Sequence, residues 1–90
     1  MPVIVKIPAQ LRSLTGNEAE TEVEASSVAE ALEAVYEKYD GLRDRITAGG
    51  ELRRFVNVYV GGEDIRFGDG LATPVGNGDE VTILPAVAGG

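Results

Sequence analysis

Neither cysteine, histidine nor tryptophan occurs in these 90 residues. Without cysteine there is no disulfide framework, no thiol nucleophile, and no thiolate site for a metal or iron–sulfur cluster. Without histidine the commonest general base and transition-metal ligand is missing too. Positive charge is scarce: 8 lysines and arginines stand against 15 acidic residues, a formal net charge of -7. A surface of that sign repels phosphate backbones, so nucleic acid is not an expected partner. It suits a basic protein groove, and it also serves solubility. No apolar run approaches the roughly 20 residues of a membrane-spanning helix. The N-terminus lacks the charged-then-apolar layout of a signal peptide. The expectation is one small cytoplasmic domain, able to build a core without staples and making no contact with a membrane.

What is present is periodic. Val3 to Ile7 is β-branched and alternating, a strand with Val3, Val5 and Ile7 on the core face. Pro8 ends it, and Leu11 and Leu14 tuck under the sheet from the following connection. Glu18 to Ala25 alternates most clearly. Glu20, Glu22 and Glu24 face water, and the residues between them face inward, as in a marginal antiparallel strand whose charges discourage edge pairing. Ser27 and Glu30 form a capping-box pattern that opens a helix. Val28, Leu32, Val35 and Tyr39 give it one apolar stripe, with Ala31 beside them. Glu33 and Glu37 are a like-charge pair one turn apart, so packing must hold this helix. Gly41 suits a left-handed stop.

The chain from Leu42 to Leu52 reads as irregular, with room for a helical turn that seats Leu42 and Ile46. Phe55 to Val60 is a strong strand. Glu63 to Phe67 returns as a short one with Ile65 inward, Leu71 and Val75 anchor the next connection, and Glu80 to Leu84 is the last strand. The order β-β-α-β-β-β predicts an α+β fold of the β-grasp, ubiquitin-like kind. A mixed five-stranded sheet packs on one main helix, with the last strand parallel to the first in mid-sheet. Residues 1–85 make the domain and residues 86–90 a flexible tail. The expected core is Val3, Val5, Ile7, Val23, Val28, Leu32, Val35, Val56, Val58, Ile65, Leu71, Val81 and Ile83.

No catalytic constellation emerges, and the chain reads as no enzyme. The acids lie on solvent faces, Asp64, Asp69 and Asp79 sit in turns, and no calcium-loop or dinucleotide spacing occurs. No metal site and no bound cofactor is expected. The reactive group left over is the carboxylate of Gly90. From Pro85 to Gly90 the chain reaches about 20 Å when extended, and two final glycines remove every side chain near that carboxylate. A carboxylate is a poor electrophile. Joined to AMP it gains a leaving group that a sulfur nucleophile displaces, leaving a thiocarboxylate. Such a chain carries and delivers, while its partners supply catalysis. The residues by themselves also allow an idle terminus, since small residues concentrate at chain ends.

Ala9-Gln10-Leu11-Arg12, Val56-Asn57, the run Asn77 to Val81 and Pro85-Ala86-Val87-Ala88-Gly89-Gly90 resemble the ubiquitin-like sulfur carriers of the MoaD/ThiS family along the whole chain. Within it, the segments 54–60 and 82–90 are most similar to the CysO-type branch, the actinobacterial carriers for cysteine synthesis. The resemblance implies an E1-like adenylating enzyme of the MoeB/ThiF type, which uses ATP, and a thiocarboxylate at Gly90. The branch implies a pyridoxal-phosphate cysteine synthase as sulfur acceptor and a metalloprotease that trims the tail. The same carrier chemistry serves the small subunit of molybdopterin synthase and thiosugar, thiamin or tRNA thiolation pathways. Ubiquitin-like attachment to lysines and a plain interaction module are the other readings.

The tail is expected to thread a partner channel through Val87, Ala88 and Gly89. The partner is expected to dock on the sheet face away from the helix, on Phe55, Tyr59 and Leu84, rimmed by Arg53 and Arg54. The alternative is that a loop residue such as Leu52 covers that face.

Overall fold

The computed structural model describes residues 2–39, 41–49, 51–53 and 56–85. Among these described residues seven strands and two helices follow one another: β1 (Pro2–Lys6), β2 (Glu20–Glu24), α1 (Val28–Lys38), α2 (Leu42–Ile46), β3 (Thr47–Ala48), β4 (Glu51–Leu52), β5 (Val56–Val60), β6 (Glu63–Asp64) and β7 (Glu80–Pro85). Five of the strands form one sheet in the order β2-β1-β7-β5-β6. β1 pairs antiparallel with β2 and parallel with β7, and β5 pairs antiparallel with both β7 and β6. This is the β-grasp that the strand and helix periods predict.

Alternation decides the faces. Val3 and Val5 of β1, Val23 of β2, Val56 and Val58 of β5, and Val81 and Ile83 of β7 all turn inward and are buried. α1 lays Val28, Ala31, Leu32 and Val35 against them. Thirteen core residues were expected, and the one that departs is Leu71, which is only partly buried at the margin.

The start of α1 is stitched by its cap. The Ser27 hydroxyl accepts from the Glu30 N–H at 3.2 Å. The Glu30 carboxylate reaches one residue further back than the simple box, accepting from the Ser26 N–H and hydroxyl, each at 2.9 Å. At the other end Tyr39, expected in the buried stripe, is the C-cap residue and half-exposed. Tyr36 takes the inner position, its ring covered by the Arg43 guanidinium 4.9 Å from the ring centre. Arg43 also donates two hydrogen bonds to the Glu33 carboxylate, which relieves the repulsion between Glu33 and Glu37 and ties α2 to α1. Gly41 has φ 91°, the left-handed conformation expected of it, and serves as N-cap of α2.

Two segments depart from their expected form. Leu42 to Leu52 is more ordered than the irregular stretch anticipated. Leu42 and Ile46 are fully buried from α2, and β3 and β4 form a separate two-stranded ribbon. Conversely, the strand expected over Glu63 to Phe67 stops at Asp64. The Asp64 carboxylate accepts from the Arg66 N–H at 2.8 Å and closes a 3₁₀ turn over Ile65–Phe67. Ile65 is buried as expected, but the turn replaces a period of two by a period of three and swings Phe67 outward.

Glu30 and Glu33 also set a pH response. Hydrogen bonds from Ser26 hold the Glu30 carboxyl below its usual 4.5, and those from Arg43 do the same for Glu33. A folded-state value below the unfolded one means the native chain resists protonation. The stability these groups contribute is present above pH 4.5 and is lost as pH falls through their folded values. The melting temperature is therefore expected to fall as pH drops from 5 towards 3, and less steeply in a Glu30→Gln, Glu33→Gln double variant. Equal slopes for the two proteins would remove this assignment.

Candidate functional site

β7 is the strand from which the tail departs, and it is the central strand of the five. Its register against β5 pairs Thr82 with Tyr59, Leu84 with Asn57 and Pro85 with Val56. Because Val81 and Ile83 face the core, Thr82 and Leu84 must face the opposite side, together with Asn57 and Tyr59. Leu84 is 47% exposed, unusually open for a leucine in a central strand, while Tyr59, Asn57 and Thr82 are half-buried. Leu52, the residue that could have covered this face, lies elsewhere. It borders a small cavity of about 180 Å³ together with Leu32, Tyr36 and Leu71, on the helix side.

The open face is zoned by charge. Along β1 the outward residues are Ile4 and Lys6. Across the register they meet Glu22 and Glu20 of β2 on one side and Glu80 and Thr82 of β7 on the other. Lys6 lies 3.5 Å from the Glu80 carboxylate. Glu20, Glu22 and Glu24 remain exposed at the margin. At the opposite margin Arg66 reaches onto β5, donating to the Asn57 side-chain oxygen at 2.6 Å and to the Val56 carbonyl at 2.8 Å. An apolar strip through Leu84 and Tyr59 thus runs between an acidic margin and an arginine.

Beside the root of the tail is a groove of about 330 Å³, lined by residues that include Lys6, Gln10, Arg12 and Leu84. Arg12 is fixed there by its Nε, which donates to the Ile7 carbonyl at 3.1 Å. Pro8 turns β1 into the short 3₁₀ segment that carries Gln10 and Arg12, so Ala9, Gln10 and Arg12 line the groove while Leu11 of the same motif is buried in the core.

Of the expected docking residues, Tyr59 and Leu84 share the open face. Arg53 is held against α2, its guanidinium donating twice to the Asp44 carbonyl, at 2.8 and 3.0 Å. Arg54, Phe55 and the tail residues Val87, Ala88, Gly89 and Gly90 lie outside the described residues. Phe67 was not anticipated, yet it is the most exposed large apolar side chain described, at 91%. The signal that could have found it is Asp64, two residues before Arg66, a spacing that favours a side-chain-capped turn over continued strand. Among the described residues no group of three or more acidic side chains is placed to hold a metal ion, and no helix is long and apolar enough to cross a membrane.

Comparison with known proteins agrees with this architecture. The model of the ThiS family matches residues 5–90. The sulfur carrier protein CysO of Mycobacterium tuberculosis is 43% identical over the full length of both chains. A CysO chain in the crystal structure of the BexX/CysO complex of Amycolatopsis orientalis superposes with a TM-score of 0.91 at 45% identity, covering 98% of this chain and 99% of that one. The solution structure of small archaeal modifier protein 1 from Methanosarcina acetivorans superposes at 0.88 with 32% identity, covering 99% and 96%.

Proposed function

The chain belongs to the ThiS family, and we propose that within it the protein is a sulfur carrier of the CysO type, without a catalytic site of its own. An E1-like enzyme adenylates the Gly90 carboxylate with ATP, and a sulfur donor converts the adenylate to a thiocarboxylate. An acceptor enzyme, a pyridoxal-phosphate cysteine synthase by analogy with the branch, then takes the sulfur. The observation that carries this reading is the place in the sheet of the strand that precedes the tail in sequence. A sequence ending in Gly-Gly leaves the central strand of a β-grasp, beside an open face that presents Leu84 and Tyr59. Full-length identity to a protein named as a sulfur carrier supports it, and a relative solved in complex with a second protein supports docking on a partner.

The step balances without any group from this chain beyond its terminus. The carboxylate oxygen attacks the α-phosphorus of ATP and pyrophosphate leaves. A sulfide sulfur then attacks the carbonyl carbon, and AMP leaves with one of the original oxygens. Intact mass after incubation with ATP, the adenylating enzyme and a sulfide source is expected to show one oxygen replaced by one sulfur. An unchanged mass under conditions where that enzyme consumes ATP would reject the carrier reading.

Similarity to an archaeal modifier favours a second reading, in which the activated Gly90 is transferred to lysines of other proteins. That reading expects higher-mass adducts on cellular proteins, joined through an isopeptide bond.

A further inference from the structure

Phe67 stands 91% exposed on a chain whose other apolar side chains are mostly inside. Single exposed apolar residues are ordinary, so exposure alone decides little. The construction beneath it decides more. Ile65 is driven into the core, and the Asp64 carboxylate holds the Arg66 N–H. The Arg66 side chain is bonded to β5, and the Gly68 N–H donates to the Ile65 carbonyl at 3.1 Å, closing the turn. Both residues before Phe67 and the one after it are therefore pinned, and the ring is presented on a rigid turn. With the backbone held in this way only the two torsions of the ring remain to be fixed when it enters a pocket, a small ordering cost that suits an aromatic anchor.

Its location is equally specific. Arg66 grips β5 at Val56 and Asn57, the two positions that pair with Pro85 and Leu84 of β7. The turn carrying Phe67 is thus braced against the end of the sheet from which the tail departs, at the margin opposite the glutamates of β2.

We propose that Phe67 is an anchor by which the protein docks the enzyme that adenylates Gly90, entering an apolar pocket rimmed by lysine or arginine. This rests on the carrier reading for the identity of the partner. The charge of the surroundings selects the rim. Glu63, Asp64 and Asp69 outnumber Arg66 around the turn, and the whole chain carries -7. The same charge disfavours a second copy of this chain as occupant, because two such surfaces repel. A phenylalanine buries about 150–250 Å², too little to hold two copies together alone but sufficient as one point of a contact whose other point is the tail.

The test is calorimetric binding of the full-length chain to the adenylating enzyme of the same organism, without ATP, for wild type, Phe67→Ala and Phe67→Leu. Phe67→Ala is expected to weaken binding about tenfold or more, as loss of an aromatic anchor does. Phe67→Leu is expected to keep most of the affinity, and neither substitution should move the melting temperature. Affinity should fall as salt rises. Unchanged affinity in Phe67→Ala overturns the proposal, as does a wild-type chain that does not bind. Affinity that rises with salt overturns the cationic rim, and self-association of the wild type that Phe67→Ala abolishes assigns the ring to a second copy instead. Binding is read here without turnover. A wild-type chain that binds through Phe67 yet gains no sulfur therefore fails the carrier reading alone.

Discussion

Deleting Gly90, or adding a single residue after it, is expected to abolish the gain of sulfur while leaving the fold and its stability unchanged. The cause is positional. An adenylating site must bring the terminal oxygen in line with the α-phosphorus of ATP, and the rate advantage of a bound reactant depends on holding the reacting atoms about 3–3.5 Å apart. One residue more or less moves the terminus by about 3.3 Å along an extended chain, several times the roughly 1 Å misplacement that already costs on the order of a hundredfold. Deletion leaves Gly89 as a chemically identical carboxylate, so any loss reports on reach and not on reactivity. Extension keeps every contact upstream and displaces only the reacting group. The measurement is intact mass after exposure to ATP, the adenylating enzyme and sulfide. Undiminished thiocarboxylate in the extended variant would reject the mechanism, whereas loss in both variants would locate the chemistry at one atom group of the chain.

Leu32→Ala is expected to lower the unfolding free energy by about 2–5 kcal/mol, as truncation of buried leucines does. Leu32 is 2% exposed and lies mid-way along α1, on the stripe that faces the sheet. The substitution removes apolar contact and leaves a cavity between layers that the sheet cannot collapse to fill, because β1, β7 and β5 are locked in register with one another. Helix propensity cannot offset the loss. Alanine is the better helix former by only a few tenths of a kcal/mol, an order of magnitude below the packing effect. A urea midpoint close to wild type would mean that α1 does not lean on the sheet through Leu32. Because a small domain is held by only about 5–15 kcal/mol, the loss should be plain in a single denaturation curve.

Where a residue's environment is set by a period, the chain could be read directly. The alternation of Glu20, Glu22 and Glu24 with Thr21 and Val23 gives the edge strand and its wet face. The four-residue return of Val28 and Leu32 gives the helix face, and Ser27 with Glu30 marks its start to the residue. The parallel pairing of β1 with β7 follows from a different kind of argument. An apolar first strand without outward glutamates needs partners on both sides, and the crossover through α1 permits a parallel one. The site was legible in part by the same reasoning, since Leu84 and Tyr59 fall on the open face once Val81 and Ile83 are placed inside.

What was not legible is local hydrogen bonding that overrides a period. Glu63 to Phe67 alternates well enough for a strand, and only the Asp64 carboxylate turning back onto the Arg66 N–H ends it. The two-residue strands β3 and β4 are too short to have a period. Tyr36 is a different case: it continues the four-residue return of Val28 and Leu32, so the period itself places it inside, and Arg43 from the next helix covers its ring while paired with Glu33. Burial also pushes the Tyr36 hydroxyl up to about 12.

The central place of β7 has a mechanical consequence. A pull on the tail does not peel a strand from an edge. It loads β7 along its own axis, against β1 on one side and β5 on the other, with backbone pairs running from Glu80 to Pro85. Behind it the Ile4 N–H holds the Asp79 carbonyl and the Gly78 N–H holds the Pro2 carbonyl, each at 2.9 Å, so the strand is also fastened at its trailing end. Bonds loaded in shear share the force and must break together. A load applied through the last strand is therefore spread over both of its neighbours, and the domain resists being unravelled from that end.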